Sequence, residues 1–261
     1  MSLELHSARS LDRAERAALF TSAYEGYILP FRIDEQQLTT MDEAFDLDLD
    51  ASRIAFRDGA PVGLGNLGVR GEEAWIGGVG VVPAARRSGI GEALMQALHE
   101  EARERGIRHV WLEVIVENTG AFALYEKLGY RTVRDVVVWS LPAEDGPPEA
   151  REVPAADAHA RIRELRSDRE PWQRADGTVE NYRDARGLET DDGAAVFRRG
   201  SVVQLLQLAG EPGPLLRSLR RLGAVSVLNL PADDQAAAVL RSLGATAVVR
   251  QHEMLLELAE H

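Results

Sequence analysis

Hydrophobic positions recur with a helical period in four segments of the first half of the chain, which predicts four helices. The segments are 11–26, 33–45, 91–106 and 119–129. In the first, Leu11, Ala14 and Leu19 share one side. The second starts at Asp34, with Gln37 three residues on, a pattern typical of a capping box. Glycines end the third and fourth segments, as expected at helix C-termini.

Apolar and β-branched runs between these segments predict strands. They lie at 52–69, 73–82, 108–116 and 131–141. The first run is interrupted by Asp58-Gly59, a pair that favours a tight hairpin turn, so this run predicts two strands. Residues 142–150 contain three prolines and a glycine and predict a linker.

The second half of the chain resembles the first in two places. VFRRGSVVQLLQL (196–208) is similar to AFRDGAPVGLGNL (55–67), and AVLRSLGATAV (238–248) is similar to ALYEKLGYRTV (123–133). Two similarities in the same order predict two domains of one fold, 1–141 and 151–261, joined by 142–150. Because the stretch from Phe197 to the helix near Pro214 is short, the second copy is expected to lack a strand and the glycine-rich turn.

Composition narrows the functional classes. The chain has 261 residues, is 45% hydrophobic and carries a net charge of -12, so no basic surface for nucleic acid is expected. It has no cysteine, which excludes disulfides, thiolate ligands and a cysteine nucleophile. The six histidines are scattered without metal-ligand spacing, so no metal site is expected. Neither a signal-peptide core nor an apolar run of about 18 residues is present, which predicts a cytoplasmic protein without membrane contact.

The stretch VVPAARRSGIGEAL, residues 81–94, combines a strand, two arginines and two glycines directly before a helix. A helix N-terminus presents unbonded N–H groups, glycines let an anion approach the backbone, and arginines add charge. This arrangement suits a pyrophosphate. The alternative is an ordinary strand–helix turn with solvated arginines. Gly63–Gly68 also spells GxGxxG, but no helix follows, so these glycines predict a bulge or a close backbone approach.

Two motifs resemble those of the GNAT N-acetyltransferases. Arg86, Gly89 and Gly91 match the acyl-CoA-binding pattern R-x-x-G-x-G. The later family pattern N-x-x-A-x-x-L-Y-x-K-x-G-[FY] is filled by Asn118, Ala121, Leu124, Tyr125, Lys127, Gly129 and Tyr130. The resemblance is closest to bacterial enzymes that modify ribosomal-protein N-termini. It covers residues 50–140 well and 1–49 in pattern only, while the second half resembles the degenerate second domain of tandem GNAT proteins.

The resemblance implies an α/β (α+β) fold with a mixed, mostly antiparallel sheet flanked by helices and splayed at its fourth strand. It implies transfer of an acetyl group from acetyl-CoA to a primary amine by direct attack in a ternary complex, without a metal. By position, backbone groups of Val79, Gly80 and Val81 would bind the pantetheine. The glycine loop would take the pyrophosphate; it comprises Arg86, Arg87, Ser88, Gly89, Ile90 and Gly91, and Glu92 opens the helix that follows. Asn118 would touch the cofactor, although helix capping alone also explains it.

The same resemblance assigns two catalytic residues. Tyr125 matches the general acid that protonates the leaving sulfur, with core packing as the alternative. Glu113 stands where N-terminal acetyltransferases carry a general base, with a surface carboxylate as the alternative. Gly77 occupies the fourth-strand position where many members place a glutamate instead. In the second copy Leu240 stands at the Tyr125 position, so that domain is expected to be structural or to form a wall of the acceptor site.

The acceptor stays open at this stage. Residues 33–50 contain seven acidic residues and no basic one, which would suit a cationic amine or be ordinary surface charge. Tyr24, Tyr27 and Phe31 could form an aromatic wall or belong to the core. A protein N-terminus, a lysine, a polyamine, an aminoglycoside and a small metabolite all remain possible acceptors, and the oligomeric state is undetermined. The alternative function is a non-catalytic acyl-CoA-binding or regulatory module.

Overall fold

The computed structural model describes residues 2–28 and 32–258, so Phe31 lies outside the described residues. The chain forms two compact units. Unit 1 comprises Met1–Val133 and Met254–His261, and unit 2 comprises Arg134–Glu253. Residues 142–150, for which the sequence predicts a linker, contain no helix or strand and lie within unit 2.

Unit 1 is built from five strands and four helices, together with the end of the chain's last strand. The strands are β1 (Leu3–Ser7), β2 (Arg53–Arg57), β3 (Ala60–Arg70), β4 (Glu73–Val81) and β5 (His109–Ile115). The helices are α1 (Arg13–Ala23), α2 (Glu35–Ala44), α3 (Ile90–Glu104) and α4 (Thr119–Lys127). With the strand β6 (Arg131–Leu141), of which residues 131–133 belong to unit 1, all the elements predicted in this half are present.

Local signals set the ends of these elements. Asp34 accepts a hydrogen bond from the Gln37 amide at 2.7 Å, and the Gln37 side chain accepts one from the Asp34 amide at 2.9 Å. The predicted capping box is thus confirmed. Asp58 and Gly59 both have positive φ, 51° and 82°, as a two-residue hairpin turn requires.

The sheet of unit 1 has the order β1-β2-β3-β4-β5, followed by the last residues of β12 (Thr246–Glu257). Neighbours from β1 to β4 are antiparallel, and β4 and β5 are parallel. On β3, Leu64 packs with α1, whereas Gly63 and Gly65 face α3. Because side chains alternate along a strand, the two helices cover opposite faces. The expected mixed, mostly antiparallel sheet flanked by helices is confirmed.

The glycines of β3 allow α3 to pack closely on the sheet. A Cβ on Gly65 would lie 2.9 Å from Leu98 Cδ1, and one on Gly63 would lie 3.2 Å from Leu94 Cδ1. The register with β4 also shifts between Gly65 and Leu67. The prediction of a bulge and close backbone approach at GLGNLG is therefore confirmed.

β4 and β5 separate after three paired residues. Their pairing runs from Glu73↔His109 to Trp75↔Trp111, yet β4 continues to Val81 and β5 to Ile115. β3 stays paired with β4 as far as Val81. The gap between residues 76–81 of β4 and 112–115 of β5 is called the opening below, and it is the expected splay at the fourth strand.

Unit 2 has a similar succession of elements. Its strands are residues 134–141 of β6 (Arg131–Leu141), β7 (Arg151–Val153), β8 (Arg186–Thr190), β9 (Gly193–Arg199), β10 (Val203–Gly210), β11 (Val225–Pro231) and the first part of β12. Its helices are α5 (Ala155–Leu165), α6 (Asp176–Asn181), α7 (Pro212–Arg221) and α8 (Gln235–Ser242). The strand order is β12-β6-β11-β10-β9-β8-β7.

The expectation that unit 2 lacks a strand is wrong. After residues 134–141 of β6, four strands, β7 to β10, precede α7, as β1 to β4 precede α3. The similar segment 196–208 forms β9 and β10, which take the place of β3 and β4, whereas 55–67 forms β2 and β3. Both hairpins have a short charged turn between alternating apolar residues, so their sequences match even though they are different hairpins of the fold.

Neither a membrane-spanning helix nor a metal-binding cluster is found among the described residues. No helix within 2–28 and 32–258 is long and apolar enough to cross a membrane. Over the same ranges, no three His, Asp or Glu side chains are grouped so that they could hold a metal ion.

Candidate active site

The β4 backbone offers hydrogen-bonding groups to the opening. Val82 donates to the Val62 carbonyl at 2.9 Å, and ladder bonds alternate in an antiparallel pair, so Gly80 is directed towards β3. Val79 and Val81 are then directed away from β3, towards the opening. The absence of a side chain at Gly80 leaves room for α1 and Tyr24, because a Cβ there would lie 2.9 Å from Ala23 Cβ and 3.0 Å from a Tyr24 ring carbon.

The two arginines of the glycine loop have different surroundings. The Arg86 guanidinium donates to the carbonyls of Val81 at 3.0 Å, Ala23 at 3.1 Å and Glu25 at 2.5 Å. It thereby ties the loop to the end of α1. Arg87 is exposed, has a φ of 58°, and bonds to no side chain or carbonyl among the described residues. Arg87 is therefore the loop arginine available to an anion.

The start of α3 is open to solvent. Gly89 has a φ of 82° and provides no side-chain cap, and a Cβ on either Gly89 or Gly91 would meet nothing within 4 Å. The first N–H groups of a helix have no acceptor within it, so those of Ile90, Gly91 and Glu92 can face a ligand. The Ile90 side chain is 1% exposed and anchors this turn in the core.

Arg57 adds a further cation that the sequence analysis missed. It lies at the end of β2 and donates to Ser88 Oγ at 2.8 Å, and Ser88 donates to the Ala85 carbonyl at 2.6 Å. Nothing in the local sequence signals this contact, because the partners are 31 residues apart. Glu92 pairs with Lys127 of α4 at 2.6 Å, which counters its negative charge beside the loop.

Asn118 makes two contacts on the far side of the opening. Its Oδ1 accepts from the Ala121 amide at 3.3 Å and caps α4, and its Nδ2 donates to Tyr27 Oη at 3.2 Å. The capping role is therefore present together with a side-chain contact to the segment that follows α1.

Tyr125 lies on α4, half-buried against the core. Its ring is 5.9 Å from that of Tyr130. Burial raises the pKa of Tyr125 well above its usual value, and Tyr27 raises the pKa further. The hydroxyl is consequently protonated near neutral pH and can donate a proton. Among the described residues, none forms a hydrogen bond with it.

Tyr24 extends across the bare part of β4. It stacks on Phe20 at 4.8 Å and meets Tyr27 edge-on at 5.2 Å. Its hydroxyl would lie 2.7 Å from a Cβ on Gly78. Burial, then Tyr125 and Tyr27, raise the pKa of Tyr24. Tyr24, Tyr27 and Tyr125 therefore lie close to one another around the opening.

Glu113 lies on β5, two residues beyond the last pair with β4. The Trp75 indole N–H donates to Glu113 Oε2 at 2.8 Å. Gly77 leaves room for that indole, because a Cβ there would lie 2.9 Å from Trp75 Cη2. A glutamate at position 77 would collide with this ring, so Glu113 is the carboxylate that the fold places at this point.

The acidic stretch 33–50 is largely neutralised by distant arginines. Its ion pairs are Asp42–Arg16 at 2.9 Å, Asp46–Arg70 at 2.6 Å, Asp48–Arg105 at 2.7 Å and Asp50–Arg9 at 2.6 Å. Asp34 caps α2. These contacts favour ordinary, paired surface charge over an acidic rim for a cationic acceptor.

Unit 2 differs at the corresponding helix start. Glu211 Oε1 accepts from the Gly213 amide at 3.2 Å, so a carboxylate of the chain itself caps α7. Pro212 and Pro214 lack N–H groups. Leu240, at the position that matches Tyr125, is 0% exposed. These features leave α7 without the exposed N–H groups that α3 offers.

Part of the chain matches a known family model. Residues 18–130 match the model described as the acetyltransferase (GNAT) family. The [ribosomal protein bS18]-alanine N-acetyltransferase of Escherichia coli K12 is 36% identical over 84 residues, 27% of this chain and 57% of that protein. The match thus spans little more than half of that curated relative.

Two solved structures share the fold over nearly the whole chain. A GCN5-related N-acetyltransferase from Sphaerobacter thermophilus superposes with a TM-score of 0.76 at 17% identity, covering 98% of this chain and 95% of that one. A tandem GNAT protein from the clavulanic acid biosynthesis pathway gives 0.67 at 17% identity and covers both chains fully, 100% each. At these identities the likeness concerns the fold alone.

Proposed function

We propose, from the match of residues 18–130 to the acetyltransferase (GNAT) family model, that this chain transfers an acetyl group from acetyl-CoA to a primary amine. The observation that carries the proposal is the opening between β4 and β5, which lies beside an uncapped, glycine-started α3. The opening exposes backbone bonding groups along a strand, and the helix start offers N–H groups to an anion.

Two parts of the chain would bind acetyl-CoA, β4 and the glycine loop. The backbone groups of Val79 and the N–H of Val81 would bond to the amides of the pantetheine arm. The amides of Gly89, Ile90 and Gly91 would bond to the pyrophosphate, with Arg87 and Arg57 supplying charge. Arg86 has a different role here: it holds the loop in shape through the carbonyls of Val81, Ala23 and Glu25.

The chemical side assigns one proton transfer to each of two residues. Acetyl-CoA, when bound, supplies the acetyl group as an activated thioester. Glu113 takes the proton that the attacking amine must lose, directly or through one water molecule. Tyr125, whose hydroxyl is protonated near neutral pH, donates a proton to the departing sulfur. Both residues are on elements that border the opening, β5 and α4.

The acceptor we propose is the α-amine of a protein or peptide. The support is the match to a relative named for the alanine of ribosomal protein bS18. The paired state of the acidic stretch argues against selection of a polycation, because little uncompensated negative charge remains there. Free lysine, polyamines and aminoglycosides are therefore the acceptors we expect to be poorer.

Release of free CoA, measured with a thiol reagent, tests the proposal. The native chain is given acetyl-CoA with an alanine-terminated peptide, its N-blocked form, a polyamine or an aminoglycoside. We expect release with the free α-amine and mass-spectrometric evidence of its acetylation. Binding of acetyl-CoA without turnover of any amine would instead identify a non-catalytic acyl-CoA-binding module.

The role of Tyr125 gives a second test. Tyr125→Phe keeps ring volume and removes a hydroxyl that bonds to no described residue, so the melting temperature should change little. Turnover should fall by about 10²–10⁴-fold, the range for a positioned acid. Tyr130→Phe is the matched control, because its hydroxyl lies 2.9 Å from His99 Nε2. The Tyr130→Phe variant should lose more stability than turnover. A normal rate for Tyr125→Phe would remove Tyr125 from the mechanism.

A further inference from the structure

We propose that Trp75 is a positioning residue that holds the Glu113 carboxylate at the opening between β4 and β5. The proposal rests on the proposed function only in that Glu113 there takes the amine proton. The placement of Glu113 by Trp75 can be measured independently of activity.

The strand register explains why these two side chains meet. Trp75 is opposite Trp111 in the last pair of the β4–β5 ladder, and Glu113 is the next residue on the same face of β5. Beyond that pair the β4–β5 ladder ends and the two strands separate. The Trp75 indole spans the gap, and its N–H donates to Glu113 Oε2 at 2.8 Å.

The Trp75 ring is itself held in one orientation. It is 5% exposed. On one side it lies over Gly77, where an added Cβ would be 2.9 Å from Cη2 and 3.0 Å from Cε3. On another, Phe45 meets it edge-on, with ring centres 5.3 Å apart and planes at 72°. An indole confined in this way fixes where its N–H, and hence the accepting carboxylate, can lie.

A second tryptophan–glutamate pair on the same strands provides an internal comparison. The Trp111 indole of β5 donates to Glu73 of β4, the reverse of the Trp75–Glu113 contact. Glu73 lies in the closed part of the ladder and also pairs with His109 at 2.7 Å. The two tryptophans are similarly buried, at 5% and 7% exposure. Only the Trp75 pair lies at the opening.

The hydrogen bond should favour the charged form of Glu113. A donor to a carboxylate stabilises the ionised state over the neutral acid. Ionisable groups on the neighbouring elements are in ion pairs: Glu73 with His109 on β4 and β5, Asp46 after α2 with Arg70 on β3, and Glu257 on β12 with Arg131. The tyrosines of α4 and the end of α1 stay neutral near pH 7. In the variants below, loss of the indole N–H should therefore be the main cause of any change in the ionisation of Glu113.

The test is a carboxyl-carbon NMR titration of protein labelled with ¹³C-glutamate. Glu113→Gln identifies the Glu113 signal by its absence. In Trp75→Phe, which keeps an aromatic ring but removes the donor, we expect this carboxyl to titrate about one pH unit higher than in the native protein. Trp111→Phe, the matched control, should leave the Glu113 signal unchanged. An unchanged midpoint in Trp75→Phe would overturn the inference.

Gly77→Ala provides a second variant that leaves both partners intact. Its methyl group should push the indole away and raise the same titration midpoint, and thermal melting confirms that each variant is folded. If Trp75→Phe does not fold, Gly77→Ala decides the inference in the same way. An unchanged Glu113 midpoint in a folded Gly77→Ala variant would overturn it.

Kinetics separate this inference from the proposed function. Below both midpoints, Trp75→Phe should lower the rate on the order of tenfold, while the rates converge at high pH. If Glu113→Gln retains full turnover although the NMR midpoint moves in Trp75→Phe, the base assignment fails and the positioning inference stands. If Glu113→Gln abolishes turnover but Trp75→Phe leaves the pH profile unchanged, the positioning inference fails.

Discussion

Arg86 and Arg87 are adjacent, yet the structure predicts that replacing them has different consequences. Arg86→Met and Arg87→Met keep an aliphatic chain and remove the same charge and donors. Arg86 loses three hydrogen bonds to the carbonyls of Val81, Ala23 and Glu25. Arg87 has no such bond among the described residues, so its replacement should cost the unliganded fold little.

The magnitudes follow from these contacts. A bond from a charged donor contributes roughly 1.5–3 kcal/mol when sheltered, but Arg86 is exposed, so about 1–2 kcal/mol in total is a fair expectation. For a protein of this size that lowers the melting temperature by about 2–4 °C. Loss of one charge-assisted contact by Arg87 to a pyrophosphate should weaken acetyl-CoA binding about tenfold, or about 1.4 kcal/mol.

The assay is calorimetric titration with acetyl-CoA at low and high salt. Thermal melting of the unliganded protein accompanies it. The Arg87→Met defect should shrink at high salt, since ions screen an exposed contact. Any binding defect of Arg86→Met should accompany a lower melting temperature and depend little on salt. A stable Arg86→Met protein with a large, salt-sensitive loss of affinity, beside an unaffected Arg87→Met protein, would refute the reasoning.

Three further predictions follow from individual contacts. Calorimetry should give one acetyl-CoA per chain, because Glu211 and two prolines occupy the helix start in unit 2; two equivalent sites would contradict this. Asn118→Ala should cost about 1 kcal/mol in denaturant unfolding through loss of the α4 cap, and Asn118→Asp should retain the cap but lose the donor to Tyr27. Burial, with a smaller effect of Arg103, lowers the pKa of His99 to about 4 from an ordinary 6.5. As the pH falls, His99 is therefore protonated at a higher pH in the unfolded chain than in the folded protein. Stability of unit 1 should therefore fall as pH drops from 6.5 towards 4, by up to about 3 kcal/mol, and His99→Gln should flatten this dependence in urea unfolding at pH 7 and 5.

Several features of the fold could be predicted from sequence because they depend on residues close together in the chain. The capping box of Asp34 and Gln37 and the hairpin turn at Asp58-Gly59 are decided by a few neighbouring side chains and backbone angles. The glycine loop before α3 is a local signal of the same kind. Its resemblance to a known family then supplied the sheet type and the splay, which no local pattern specifies.

Other features depended on residues that meet only after folding. From the sequence, Arg86 and Arg87 are equivalent candidates for binding the pyrophosphate. In the structure, Arg86 contacts a carbonyl 63 residues away and Arg87 does not. The position of Glu113 in the sequence made it a candidate general base. Its partner Trp75 lies 38 residues away and belongs to no recognisable motif. The similarity of 196–208 to 55–67 misplaced a hairpin, because alternation and turn chemistry recur in any hairpin.

The sequence by itself thus determined where α2 begins and where the turn at Asp58-Gly59 forms, and it marked the loop that we propose to bind an anion, since each is a pattern over a few neighbouring residues. The tertiary structure alone decided which charges are neutralised, as for the four aspartates of 33–50 and their distant arginines. It also decided that residues 254–257, at the far end of the chain, complete the sheet of unit 1. The physical reason is that strand pairing and ion pairing depend on separation in space, which no local pattern of residues encodes.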